Sequence, residues 1–305
     1  MKHASPSIWA RELDALLRGV AGALLFGVPL LYTMEVWWIG NSVTPLRMLV
    51  GLGITYLALV ALNRSSGFRR GRQSTFGRSL LDSLEALTLG LVVSVVSLVL
   101  LRRITGDISL HTALGHIVLE SIPFSIGVGI ANGLLNRGDG DEQEQEDGAD
   151  AEDSDEAAQT TDSDQPDKQP QSLWKDTLAD AGGTALGATI IAFSIAPTDE
   201  VPMIAGALSP MVLMLVVAAS LIVSYVIVFA AEFGNQQARQ EQRGVFQTPL
   251  SETIASYCIS LVMALVMLVF FKQLTLESPL NQWVSHTITL GLPATIGGAA
   301  GRVAI

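Results

Sequence analysis

The chain has 305 residues, a mean hydropathy of +0.43, 49% hydrophobic residues and only 15% charged ones. Soluble domains carry roughly 25% charged residues, so a soluble enzyme is disfavoured from the start. The formal charge of −11 is a local property, because Gly138–Pro170 holds 14 Asp/Glu and one Lys, leaving 15 acids against 17 Lys/Arg elsewhere. A single cysteine, Cys258, excludes an intramolecular disulfide, and four histidines leave little material for a zinc cluster, so neither a metal nor a cofactor is expected.

A helix rising about 1.5 Å per residue needs roughly 20 apolar residues to cross a hydrocarbon core about 30 Å thick. Eight runs qualify: Arg18–Trp38, Pro45–Leu62, Leu80–Leu101, Leu110–Leu134, Trp174–Ala196, Met203–Ala231, Leu250–Phe271 and Asn281–Arg302. The first is too long for the apolar core of a secretory signal and ends in Val36-Trp37-Trp38-Ile39 without a small-residue cleavage site, so it reads as a retained helix. Glu35 lies near its end. Between the second and third runs, Arg64–Arg78 is a short arginine-rich loop, an orientation signal and contact for anionic lipid.

The third run carries Asp82 in its first turn, where a carboxylate favours the positive end of the helix dipole, and Glu85 about a turn further in. On the fourth, His116 and Glu120 are spaced i, i+4 and share a face, followed by Pro123 near the middle. A polar stripe beside a kink suits a proton or cation path; hydrogen-bonded histidines and packing bends explain the same residues without one. The segment Gly138–Pro170 lacks apolar periodicity and is expected to be a disordered acidic linker, a spacer or a docking tail. Asp176 and Asp180 open the fifth run, and Glu200 in the connection after it pairs with Glu35 as an acid at the outer mouth. Glu252 starts the seventh. The eighth, short of apolar residues and rich in glycine, carries His286 and Pro293. The two prolines free carbonyls one turn upstream, around Leu119 and Thr289. The glycines of the first, fifth and eighth runs read as points of close helix approach.

Writing Thr75–Asn132 above Val245–Arg302, an offset of 170, pairs Asp82 with Glu252, Arg102 with Lys272, His116 with His286 and Pro123 with Pro293 without a gap, although Leu290 stands opposite Glu120. An offset of 165 pairs Thr33, Glu35 and Pro45 with Thr198, Glu200 and Pro210, and 160 pairs Gly22 and Gly27 with Gly182 and Gly187. The expected fold is therefore all-α and transmembrane: eight helices as two four-helix repeats, residues 1–137 and 171–305, joined by the linker at 138–170. Four crossings return the chain to its starting side, which makes the repeats parallel, related by a pseudo-twofold axis along the membrane normal, with a cavity expected where they meet. Lys and Arg favour cytoplasmic loops; with both termini and the linker inside, 14 positive residues fall inside and four outside. Trp37, Trp38 and Trp283 would then mark the outer interface, and Trp9 and Trp174 the inner one.

No phosphate-binding loop, metalloprotease helix, serine-nucleophile elbow or spaced cysteine pair is present, so no enzyme is expected. The leading expectation is a multi-pass protein of the cytoplasmic membrane that transports or conducts a small ion or solute, cations or protons passing His116, Glu120, His286, Glu85 and Asp180. The alternative is a sensor or assembly module whose linker docks a soluble partner. Its expected partners are the bilayer and cations or protons, not nucleic acid, and a homo-oligomer is compatible with both readings. The segment Arg18–Trp38, RGVAGALLFGVPLLYTMEVWW, resembles the opening helix of an uncharacterised family of integral membrane proteins from bacteria and haloarchaea. That resemblance implies a membrane assignment and transfers no catalytic or binding residue.

Overall fold

The computed structural model describes residues 8–68, 76–148, 170–230 and 249–304, and all regular structure among them is helical. In chain order the helices are α1 (Ile8–Leu31), α2 (Met34–Ser42), α3 (Pro45–Phe68), α4 (Phe76–Leu100), α5 (Leu110–Gly148), α6 (Pro170–Ile195), α7 (Glu200–Ala207), α8 (Pro210–Tyr225, prolonged by a π-helical turn Val226–Ala230), α9 (Pro249–Phe270) and α10 (Leu280–Val303). Seven helices among the described residues are long and apolar enough to cross a membrane: Glu12–Leu31, Pro45–Arg64, Phe76–Leu100, Leu110–Asn132, Thr177–Ile195, Pro210–Phe229 and Pro249–Phe270. The eighth expected run forms α10, but glycine, threonine and histidine dilute it below that threshold. Residues 291–299 of α10 are all buried, so it meets other helices where the rest meet lipid.

Two expected runs are broken within their apolar stretches, and the first helix starts earlier than expected, at Ile8 rather than Arg18. The first ends at Leu31, and Glu35, Trp37 and Trp38 belong to the separate nine-residue α2, which starts after an extended Thr33. The sixth begins at Pro210 rather than Met203, since Ser209 caps α8 by accepting from the Val212 amide at 3.4 Å and Pro210 suits a first helical position. Thus each half runs long, short, long, long, long, with α2 and α7 at one end of the bundle, here called the short-helix end. Helix α5 continues past Gly138 to Gly148, the Glu/Gln run being a good helix former. Residues 149–169 of the acidic linker, the arginines at 69, 70 and 72, and the side chains of Trp174 and Asp176 lie outside the described residues.

Backbone proximity organises the interior. Gly22 on α1 faces Gly127 on α5, and Gly187 on α6 faces Gly297 on α10; a Cβ on any of the four would collide with the carbonyl opposite. Apolar lipid tails give no hydrophobic drive for helix association, and such close contact supplies dispersion instead. Leu49, Leu57, Val92, Val96, Ile190, Met214, Ile222 and Val262 point outward, whereas Ser83, Ser97, Ser220 and Ser260 are buried. Those four hydroxyls donate to the carbonyl one turn back at 2.6–2.9 Å, so burying them leaves no donor unmet.

Apolar side chains of the two halves meet at their junction. Buried apolar residues of both halves, among them Leu31, Ile204, Ile227 and Leu290, form one core cluster. Tyr32 donates its hydroxyl to the Thr289 carbonyl at 2.6 Å, and the Met34 amide donates to the Glu200 carboxylate at 3.0 Å. A cavity of about 40 Å³, room for a few waters, lies at the far end of the second half, lined by residues of α6, α9 and α10.

A buried charged cluster beneath the short helix

Gly115 on α5 and Gly40 on α2 touch backbone to backbone, and a Cβ at either would strike the other helix. This brings α2 down onto the start of α5, where the next residue is His116. Its Nε2 lies 3.2 Å from the Trp37 carbonyl and 2.9 Å from Asn41 Oδ1. A carbonyl only accepts, so Nε2 carries a hydrogen, and Nδ1 is left buried with no partner. The ring thus ties α2 to α5 at the residue whose indole enters the protein: Trp37 is 1% exposed.

Arg103 comes from the α4–α5 turn. Arg102 adopts φ 56, and the amides of Arg102 and Arg103 donate to Val99 and Leu98 at 3.1 and 2.8 Å, so the chain reverses tightly enough to aim Arg103 back over the bundle. Its guanidinium carbon lies 3.7 Å from the centre of the Trp37 ring, a close cation–π stack. Burial lowers the Arg103 pKa from its ordinary value, and the negative charge of Glu120 opposes that shift.

Glu120, one turn beyond His116, is 0% exposed, and neither carboxylate oxygen has a hydrogen-bond partner. The Trp37 side chain and the Arg103 charge both act on it, yet neither meets it in hydrogen-bond geometry. Trp37 Nε1 and Arg103 Nε are likewise buried and unpartnered. More than nine in ten buried polar groups in folded proteins are satisfied, and an unmet one in a low-dielectric interior is costly. Four side chains with unmet polar atoms in one place make this the chemically distinctive site of the first half.

The other expected site residues do not converge on it. Glu85 is exposed on α4, as is Asp82, and Glu35 is exposed on α2. Glu200 is buried, and its carboxylate caps α2 of the other half at Met34, one residue before Glu35. His286 is buried on α10 with Nδ1 unpartnered, and Leu290 stands one turn beyond it where the first half has Glu120. Asp180 lies at the opposite end of the bundle, where Arg302, 6% exposed, reaches it at 3.0 Å and Glu252 at 2.7 Å, with Ser256 Oγ at 3.3 Å. Pro123 and Pro293 both sit within continuous helices. The Thr289 carbonyl freed by Pro293 is the one that Tyr32 meets.

Trp37 and Arg103 escaped sequence reasoning, which put the indole at the membrane surface and the arginine among the loop charges. One signal was available. At offsets of 165 and 170 the positions matching Trp37, Arg103 and Glu120 are Pro202, Gln273 and Leu290, three departures that coincide in space. Trp38, 63% exposed, is the residue that stays at the surface.

Residues 15–305 match a family described as integral membrane protein (DUF2391). Neither a curated protein nor a solved structure matches the chain.

Proposed function

Since the chain belongs to this family of integral membrane proteins, we propose that it is a multi-pass, non-enzymatic transport protein that moves a small cation or a proton past Glu120. The observation that carries this reading is the carboxylate itself, fully buried and without a hydrogen-bond partner inside an apolar helix. Ionisable groups at membrane depth cost several kcal/mol and mark ion or proton paths by default. A purely structural acid is expected to be paired with a donor, as Glu252 and Asp180 are with Arg302.

Two parallel repeats of four crossings each, with both termini on the cytoplasmic side, complete the reading. Its support lies in matching detail. Gly22 meets Gly127 as Gly187 meets Gly297, and Arg102 and Lys272 both adopt positive φ, at 56 and 61. The matching contact of Gly22 and Gly187 corresponds to an offset of 165 at that point of α1, beside the 160 read from its sequence. In this arrangement α10 is the eighth crossing and Arg103 faces outward.

Purified protein in liposomes tests the function directly. Proton, sodium or potassium flux above an empty-vesicle control is expected, and Glu120→Gln is expected to lower it by at least about tenfold, since it removes the titratable carboxyl and keeps the shape. No flux for any of these ions, or equal flux in the variant, overturns the proposal.

A further inference from the structure

The Arg103 guanidinium occupies an arrangement that a free cation would use. An indole face lies 3.7 Å from its carbon, a fully buried carboxylate acts on the same charge, and the walls are supplied by α2 and α5. We infer that this is a binding site for a flat organic cation of the guanidinium class, and that Arg103 is a tethered occupant which the free cation displaces. The inference rests on the transport reading for its cargo but not for its binding site.

Three features support that ligand class. Guanidinium is planar and weakly hydrated, so it gives up water to an aromatic face more readily than a compact ammonium or alkali ion does. The carboxylate oxygens of Glu120 are unengaged by hydrogen bonds, leaving both available to a forked donor. Arg103 is attached through a surface turn and is itself partly exposed, so it can leave toward solvent without disturbing a packed helix. The matching positions of the second half hold Pro202, Gln273 and Leu290, so the aromatic face and the acid are not repeated there.

Removing a tethered competitor raises apparent affinity by the reciprocal of the fraction of time the site is vacant. Equilibrium dialysis of the detergent-solubilised full chain against radiolabelled guanidinium in the low millimolar range reads this out. Arg103→Ala is expected to bind one guanidinium per chain roughly tenfold more tightly than the native protein. Methylguanidinium should displace it and potassium should not, and adding Glu120→Gln should abolish it. Equal affinity in Arg103→Ala and native chains overturns the inference, as does binding that survives Glu120→Gln or yields to potassium. Should Arg103→Ala fail to elute as a folded species, the native chain carries the test: its guanidinium binding must disappear in Glu120→Gln, and persistence overturns the inference. Binding without flux in liposomes removes the transport reading and leaves the site, whereas Glu120-dependent proton flux without guanidinium binding does the reverse.

Discussion

Tyr32 and Thr289 illustrate how much a single side chain decides in this interior. Pro293 cannot donate to the Thr289 carbonyl, and a bare carbonyl in a membrane protein must find another donor. Tyr32 provides it from the other half at 2.6 Å. Tyr32→Phe keeps the ring and deletes the donor, so stability in a mild-detergent unfolding titration should fall by about 1 kcal/mol, the scale of interhelical hydrogen bonds in membranes. A larger effect is expected where backbone meets backbone. Gly127→Leu would drive a branched side chain into the Gly22 carbonyl and Ala23, and should destabilise the protein by about 1–3 kcal/mol or more by overpacking. The proline and the glycines were recognisable in the sequence as a freed carbonyl and as contact points. Their partners were not, because a partner 257 residues away leaves no local trace.

Among the elements, α2 is the one whose position matters most. Nine residues are too few to be a stable helix alone, so its place depends on what holds it. Four contacts do so: the Gly40–Gly115 approach, the His116 bonds to Trp37 and Asn41, the Arg103 stack on Trp37, and the Glu200 carboxylate at the Met34 amide. Thr33 makes no side-chain cap of its own, so the Glu200 contact is the cap supplied at that end. Glu200→Ala should therefore speed hydrogen exchange at the start of α2 while leaving α5 amides protected, and Glu200→Gln, which retains an acceptor, should have the smaller effect. Uniform protection in the alanine variant would show that the cap contributes nothing. Hydropathy merged α2 with α1 because Val36, Trp37, Trp38 and Ile39 continue the apolar run; the extended backbone at Thr33 that separates them is not an apolarity signal. The acidic linker is the contrasting case. Its charge and lack of periodicity predict a spacer, and excising residues 149–169 should leave expression and any liposome flux unchanged, while loss of either would favour a docking role.

At the scale of the whole molecule, the parallel arrangement has a direct test. Replacing Cys258 by Ser leaves a cysteine-free chain, into which single cysteines can be placed at Asp107 and Glu277, both exposed in the turns that follow α4 and α9. A membrane-impermeant thiol reagent applied to intact cells should label both, and should not label a cysteine at Ser154 in the linker. Labelling of Asp107 and Glu277 positions from opposite sides would exclude parallel halves. Length and apolar runs sufficed to establish a helical membrane protein, since hydrocarbon demands internally bonded helices whatever they pack against. The i, i+4 spacing of His116 and Glu120 likewise placed both on one face, because helical periodicity is a local property. Tertiary structure alone decided that Glu120 lies beside Trp37 and Arg103, that Glu85 and Asp180 lie elsewhere, and that apolar residues of both halves share one core cluster. Those outcomes depend on the depth and rotation at which separate helices meet, set by backbone contacts such as Gly40 with Gly115, and no spacing along one chain encodes them.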